Sequence, residues 1–291
     1  MELKFELKCP EELDQDEEQE FYLIFTRYLY SKIHVKQSLL LSLLDKNYNE
    51  CLFWIYELYF SGFQEDCYEY IFTIYDEIYK KTNPKLLKLL EKSYDEWKED
   101  PEKHWLIGTV VGTLCFCDYN LEEFIWSYFQ ITCHQIPVEE KKKTLIIRLK
   151  QEDMIQFINK PNTDPSRKYL KSVCHFPLRT EANRLFKGSL EDLRENFYNN
   201  WLYYASFSPV WLDRIMEFRG SVDDDLLKVV FENEDFEEEF HNKWGLETDE
   251  QSLEIQNIIL GDTKEQIGIK EFCEKYGCII PTKRIKKKGG I

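Results

Sequence analysis

The sequence predicts a mainly α protein: an N-terminal helical-hairpin array or bundle, followed by an α-rich region with one or two short strands. Three observations point there. Glycine and proline number only 11 and 9 in 291 residues, too few for a loop-rich all-β design or for many phosphate-cradling loops. Hydrophobic residues make up 43% and charged residues 32%, which excludes a wholly disordered chain and leaves ample material for a core. Apolar side chains recur at helical spacing through the first half, punctuated by prolines and glycines where helices would start and stop.

The elements follow in order. Residues 11–33 open with acidic side chains, which suit the positive end of a helix dipole, and read as the first helix. KQSLLLSLLDK follows, then the greasy run NECLFWIYELYFSGF, read as a helix over 49–61 that stops at Gly62 as C′ residue. Interrupted by Glu50 and Glu57, that run is unfit to span a membrane, and apolar through more than a full turn, so it is expected to be the central helix of the array. Cys67, Tyr70, Ile71, Ile74 and Ile78 mark the buried face of the next helix. Pro84 and Pro101 stand where two more would begin, and Asn120 with Glu123 resembles a capping box before LEEFIWSYFQIT. Residues 1–138 are therefore taken as the array, 139–278 as the α-rich region and 279–291 as a basic tail.

In the second half TLIIRLKQ and LLKVVFEN are β-branched and read as strands. Ser189 is read as the cap of one helix; Ser208, Pro209 and Gly220 punctuate another, as N-cap, N1 and C′ residues. Two or three short helices follow, in EDFEEEFHNKWG, DEQSLEIQNIILG and IKEFCEKYG.

The formal net charge is -16, unevenly distributed. Residues 141–187 hold 12 basic and 4 acidic side chains, whereas 221–265 hold 15 acidic and 3 basic. The basic block, with Lys141, Lys142, Lys143, Arg148, Arg167, Lys168 and Lys171, offers contacts to nucleic acid or to an acidic partner. The competing reading is that it neutralises the chain's own acidic block. Five cations between Lys283 and Lys288 suit a nuclear-targeting patch, a phosphate-binding arm or a solubilising end.

Motifs for catalysis are absent: no GxxxxGK[ST], no GxSxG, and five scattered histidines. Adjacent acidic pairs such as Glu122–Glu123 read as solvated faces or caps. The nine cysteines include a Cys115–Cys117 pair and two Cys-His neighbours, Cys133–His134 and Cys174–His175, which have the donor types for zinc; a C-x-C within one helix splays its thiols apart, so core thiols are the expectation. No cofactor and no metal are expected. The N-terminus has no apolar core of a signal peptide and no run reaches the roughly 20 residues of a spanning helix, so a soluble, intracellular protein without membrane contact is expected. Phe53, Trp54, Tyr56, Tyr59 and Phe60 read as core, with Trp54, Tyr56, Tyr59 and Phe60 as the alternative lining of a partner groove.

The runs YYASFSPVWLDRIMEFRG, VVFENEDFEEEFHNKWGLETDEQSLEIQNIILG and FCEKYG, together with SLLLSLLDKNYNECLFWIYELYFSGF, resemble an uncharacterised protein family of giant DNA viruses. They cover roughly half of the chain, in the family's order. This chain has Thr248 where the family pattern Glu-Pro-Asp-Glu-Gln has its proline. A shorter resemblance, about 25 residues around SLLDKNYNECLFWIYELYFSG, is to a helix in the collar of clamp-loader-like ATPases and implies a shared style of hairpin packing. The viral resemblance brings no activity; it implies a host-cytoplasm or viral-factory setting, the basic tail adding the nucleus. The function expected is that of a non-catalytic protein-interaction or scaffold component, with phosphate binding through the basic block as the alternative and a protein as the expected partner.

Overall fold

The computed structural model describes residues 23–137, 145–158, 166–186, 190–261 and 265–281. Among these the chain is mainly helical, with four short strands in two antiparallel two-stranded sheets.

The N-terminal half contains six α-helices: α1 (Lys32–Leu44), α2 (Tyr48–Tyr59), α3 (Gln64–Ile74), α4 (Leu87–Glu99), α5 (Trp105–Phe116) and α6 (Glu122–Phe129). Helix α2 lies at their centre, packed on α1 and α5 and touching α3, and every residue from Glu50 to Tyr59 is buried. Asn47 starts it, its side chain accepting the Glu50 amide. Its end is a Schellman turn: Phe63 N–H reaches Leu58 O at 3.3 Å, Gly62 N–H reaches Tyr59 O at 3.2 Å, and Gly62 takes the left-handed φ of +100° that this turn demands. Helix α3 buries Cys67, Tyr70, Ile71 and Ile74 as expected, then widens into a π turn, Tyr75–Tyr79, that keeps Ile78 inside. Pro84 opens a 3-10 turn leading into α4, whereas Pro101 lies in a turn and α5 starts four residues later.

Two expectations are corrected. No helix runs from 11 through to 33: residues 11–22 lie outside the described residues, and Leu23–Ser31 is a tight loop closed by a Phe25–Ser31 bridge with Leu29 at φ +65°. Donors of this loop converge on the carboxylate of Glu57, an arrangement that a helix would disperse. The segment Leu145–Lys150 is extended but joins no sheet. It lies along α5, whose Gly108 and Gly112 form a groove for it; a methyl group on Gly108 would sit 2.6 Å from Leu149 Cδ1. Its amides bond to threonines, Ile147 N–H to Thr113 Oγ1 at 3.1 Å and Leu149 N–H to Thr109 Oγ1 at 3.0 Å. A helix takes the place of the neighbouring strand.

The second half contains β1 (His134–Gln135), α7 (Ser166–Val173), α8 (Leu193–Asn199), α9 (Trp201–Ala205), α10 (Pro209–Glu217), β2 (Gly220–Asp223), β3 (Lys228–Phe231), α11 (Glu234–Trp244), α12 (Leu253–Leu260), α13 (Ile269–Lys275) and β4 (Cys278–Ile279). The strand read in LLKVVFEN is β3, paired with β2; β2 itself follows directly on α10, where Gly220 was expected only as a helix end. The left-handed residue there is Arg219, at φ +55°, and Gly220 instead lets the strand approach Ile215 and Phe231. Ser208 and Pro209 start α10 as expected; Ser189, read as a cap, lies outside the described residues. Thr248, the departure from the viral pattern, is buried and donates to Phe197 O at 2.7 Å, a bond that proline cannot make.

One continuous cluster of buried side chains extends from Leu23 to Cys278, across the boundary read at residue 138. Strand β1 pairs with β4, and Trp211 Nε1 donates to Thr26 O at 3.0 Å, tying α10 to the loop beneath α2.

Candidate functional site

The interior described holds an ion pair of unusual position. Glu57 sits on the all-round buried α2, where an ionised carboxylate needs partners from every side. It has them: Arg27 Nε at 2.9 Å, Thr26 Oγ1 at 2.6 Å and the Tyr28 amide at 3.1 Å. Ser61 Oγ accepts the Arg27 amide at 2.8 Å and donates to Glu57 O at 2.5 Å. The guanidinium of Arg27 also donates to Phe157 O at 2.8 Å and stands over the rings of Tyr28 and Phe60. Both charged side chains are almost wholly removed from solvent, at 3% and 0% exposure.

Arg27, but not Glu57, lines a cleft of about 430 Å3. Its floor is aromatic: Tyr28, Tyr48, Phe53, Phe157 and Phe176, with His175 at the edge. Phe53 packs on Phe176 with ring centroids 5.2 Å apart, and Phe157 stacks on Tyr56 at 4.5 Å. Burial raises the Tyr28 hydroxyl above the ordinary phenol range, Arg27 opposing, so it stays a neutral donor. One wall comes from the extended segment and the 3-10 turn that follows it, Gln151–Gln156, through Leu149, Asp153 and Gln156; the other comes from Ser172 and Val173 of α7. Asp153 is tied down by accepting the Lys150 amide at 2.8 Å.

The residues singled out in the sequence distribute as follows. Trp54, Tyr56 and Tyr59 are interior, at 0%, 0% and 1% exposure, so they cannot line an open partner groove. Their polar tips are satisfied inside: Trp54 Nε1 by Glu50, and Tyr56 and Tyr59 by backbone and His104 near the start of α5. Phe60 is half-buried under Arg27. Of the basic block, Lys141, Lys142 and Lys143 lie outside the described residues, as do the side chain of Arg167 and the tail at 283–288. Arg148 is exposed on the extended segment, next to the cleft-lining Leu149; Lys168 and Lys171 are exposed on α7, whose last turn lines the opposite wall. Lys171 lies 4.0 Å from Glu254 of the acidic block, while Arg179 is bound to Asp45 and Glu181 instead.

The cysteines at 115, 117, 133, 174, 273 and 278 are buried free thiols, and among the described residues no three histidine, cysteine or carboxylate groups are placed to hold a metal ion. Burial holds the thiols of Cys273 and Cys278 up, to about 11 for Cys273, and Cys133 contacts both. None of the helices among the described residues is long and apolar enough to cross a membrane.

The Arg27–Glu57 pair was not singled out from the sequence. A signal for it existed: a carboxylate in the middle of a helix apolar on all faces requires a buried cation. Comparison with protein-family models, with curated proteins and with solved structures finds no match to this chain.

Proposed function

We propose that this chain is a non-catalytic binding protein that takes single-stranded nucleic acid across the aromatic cleft, in the viral setting that the sequence resemblance implies. One observation carries the reading: both walls of an aromatic-floored cleft come from the basic block, and the exposed Arg148, Lys168 and Lys171 stand within four residues of wall residues along the chain. Neither feature alone selects a ligand. Together they match the two requirements of sequence-tolerant single-strand binding.

The deciding experiment is fluorescence anisotropy of a labelled oligonucleotide titrated with the full chain at several salt concentrations. Binding that weakens with salt and is lost in Lys168→Glu with Lys171→Glu supports the reading; no binding at low salt overturns it.

A second reading, that of a protein-interaction component, is favoured by a different surface. Leu212 and Met216, one turn apart on α10, are 40% and 62% exposed, and Val230 on the adjoining hairpin is 40% exposed. A chain that stays a solitary monomer by light scattering, and retains no protein from infected cells, would count against it.

A further inference from the structure

Among the described residues Arg214 is, with Arg27, one of two buried arginines, and unlike Arg27 it has no carboxylate partner there. It projects from the inner face of α10, beside Trp211 and Ile215, and is 6% exposed. Its guanidinium lies over two indoles, 4.4 Å from the ring of Trp211 and 4.0 Å from that of Trp244 on α11. Cation–π contact engages the flat face of a guanidinium and leaves its in-plane N–H groups to find acceptors. Nη1 is buried without a hydrogen-bond partner. Two more buried groups of this neighbourhood share that condition: Nε1 of Trp244, on one of those two rings, and the hydroxyl of Tyr169 on α7, which lies beside the Tyr28 hydroxyl without a well-formed hydrogen bond.

The electrostatic balance has the same sign. The charged groups that Arg214 feels most strongly are Arg27 and Glu57, and Glu57 is already engaged by Arg27, Thr26 and the Tyr28 amide. Among the described residues, the charged groups acting on Arg214 are therefore one arginine, Arg27, and one carboxylate that Arg27 already engages. Burial lowers the Arg214 pKa, to about 10, which leaves it a cation at neutral pH. A folded chain rarely keeps a buried cation and two further donors without acceptors, since each orphan donor is costly. Hydrophobic replacement of such a charge is ordinarily neutral or stabilising.

We propose that Arg214, with Tyr169 and Trp244, forms a binding site for a small oxyanion, a phosphate or a carboxylate group, held by in-plane hydrogen bonds from the guanidinium and shielded by the two indoles. The site is built from α7, α10 and α11 and is independent of whether the aromatic cleft binds nucleic acid.

Because Trp211 and Trp244 contact the cation, intrinsic fluorescence and thermal unfolding of the full chain both report on it. The probes are sodium phosphate and sodium acetate, compared with sodium chloride at equal ionic strength. At about one hundred times its Kd, the bound anion raises the wild-type Tm by about 5 °C or more and shifts the tryptophan emission. A response to phosphate alone identifies the phosphate group, and a response to acetate alone the carboxylate. Arg214→Met loses the response and, in chloride, is at least as stable as wild type; Tyr169→Phe keeps the fold and responds more weakly. The proposal is overturned if wild-type Tm and emission are the same in all three salts. It is equally overturned if Arg214→Met responds as wild type does, or loses the same stability in every salt. Should Arg214→Met fail to fold, the wild-type and Tyr169→Phe titrations decide alone.

Discussion

The hydroxyl of Thr113 accepts the backbone amide of Ile147 at 3.1 Å. Its own proton is given back along α5 to Thr109 O at 2.7 Å, so the acceptor lone pairs face the extended segment. Thr109 repeats the contact one turn earlier with Leu149. Thr113→Val keeps the shape and removes the acceptor, leaving a half-buried amide unpaired. The expected loss is about 1–2 kcal/mol, read as a lower urea midpoint at unchanged m-value. An unaltered midpoint would show that these bonds do not hold the segment.

The Arg27–Glu57 pair is expected to behave as a unit. Glu57→Gln leaves Arg27 buried with a weaker partner and removes the carboxylate that it engages. A loss of about 3–5 kcal/mol is expected, a large part of a typical domain's stability. Replacing both residues together, Arg27→Met with Glu57→Leu, should cost less than the sum of the single changes. Additive losses in denaturant unfolding would mean that the two side chains act separately.

What could be read from the sequence follows from where the determinants lie. Helices α2, α3, α4, α10, α11, α12 and α13 are set by spacing and by local stop and start residues such as Asn233, Ser252 and Gly62, and these are visible within one turn of chain. The failures are non-local. Leu23–Ser31 has helical spacing, but a carboxylate some 30 residues further on claims its donors. TLIIRLKQ has strand composition, and the partner that satisfies its amides is a threonine pair on a helix. The cleft joins four stretches of chain, 27–28, 48–53, 149–158 and 172–176, so no window of sequence contains it. Arg214 is read from sequence as an ordinary charge on α10; only the fold shows two indoles against it.

If bases stack in the cleft, Tyr48 and the salt-dependent cations should separate cleanly. Tyr48 is the half-buried ring among the first-half residues of the cleft floor, so Tyr48→Ser removes a ring face with little loss of core. The expected effect is about 1–3 kcal/mol of oligonucleotide affinity, with the slope of log Kd against log salt unchanged. Arg148, Lys168 and Lys171 would together contribute a slope of about −2 for a single strand, and the milder Lys168→Gln with Lys171→Gln should flatten it. A slope altered by Tyr48→Ser and untouched by the lysine changes would contradict this division of labour.

Two buried titratable groups should give the stability curve opposing slopes. His34, on α1, is held down to about 4 from 6.5 by burial. The folded chain therefore keeps it neutral while the unfolded chain takes up a proton, so its contribution is intact above pH 6.5 and is lost as pH falls towards 4. Glu77, in the π turn, is pushed up from 4.5 to about 7 by burial and by the nearby Glu123 and Asp76. It is protonated when folded and ionised when unfolded, so its contribution is intact below pH 4.5 and is lost as pH rises towards 7. Between pH 4.5 and 6.5 the two nearly cancel, which hides both in wild type and makes difference curves the right measurement. Relative to wild type, His34→Gln should gain roughly 3 kcal/mol as pH falls from 6.5 to 4. Glu77→Gln should gain on the order of 2 kcal/mol as pH rises from 4.5 to 7, the smaller figure reflecting its partial exposure to solvent. Urea midpoints across pH 4–8 for the three proteins give both curves, and a difference that does not vary with pH in either variant would remove that group from the account.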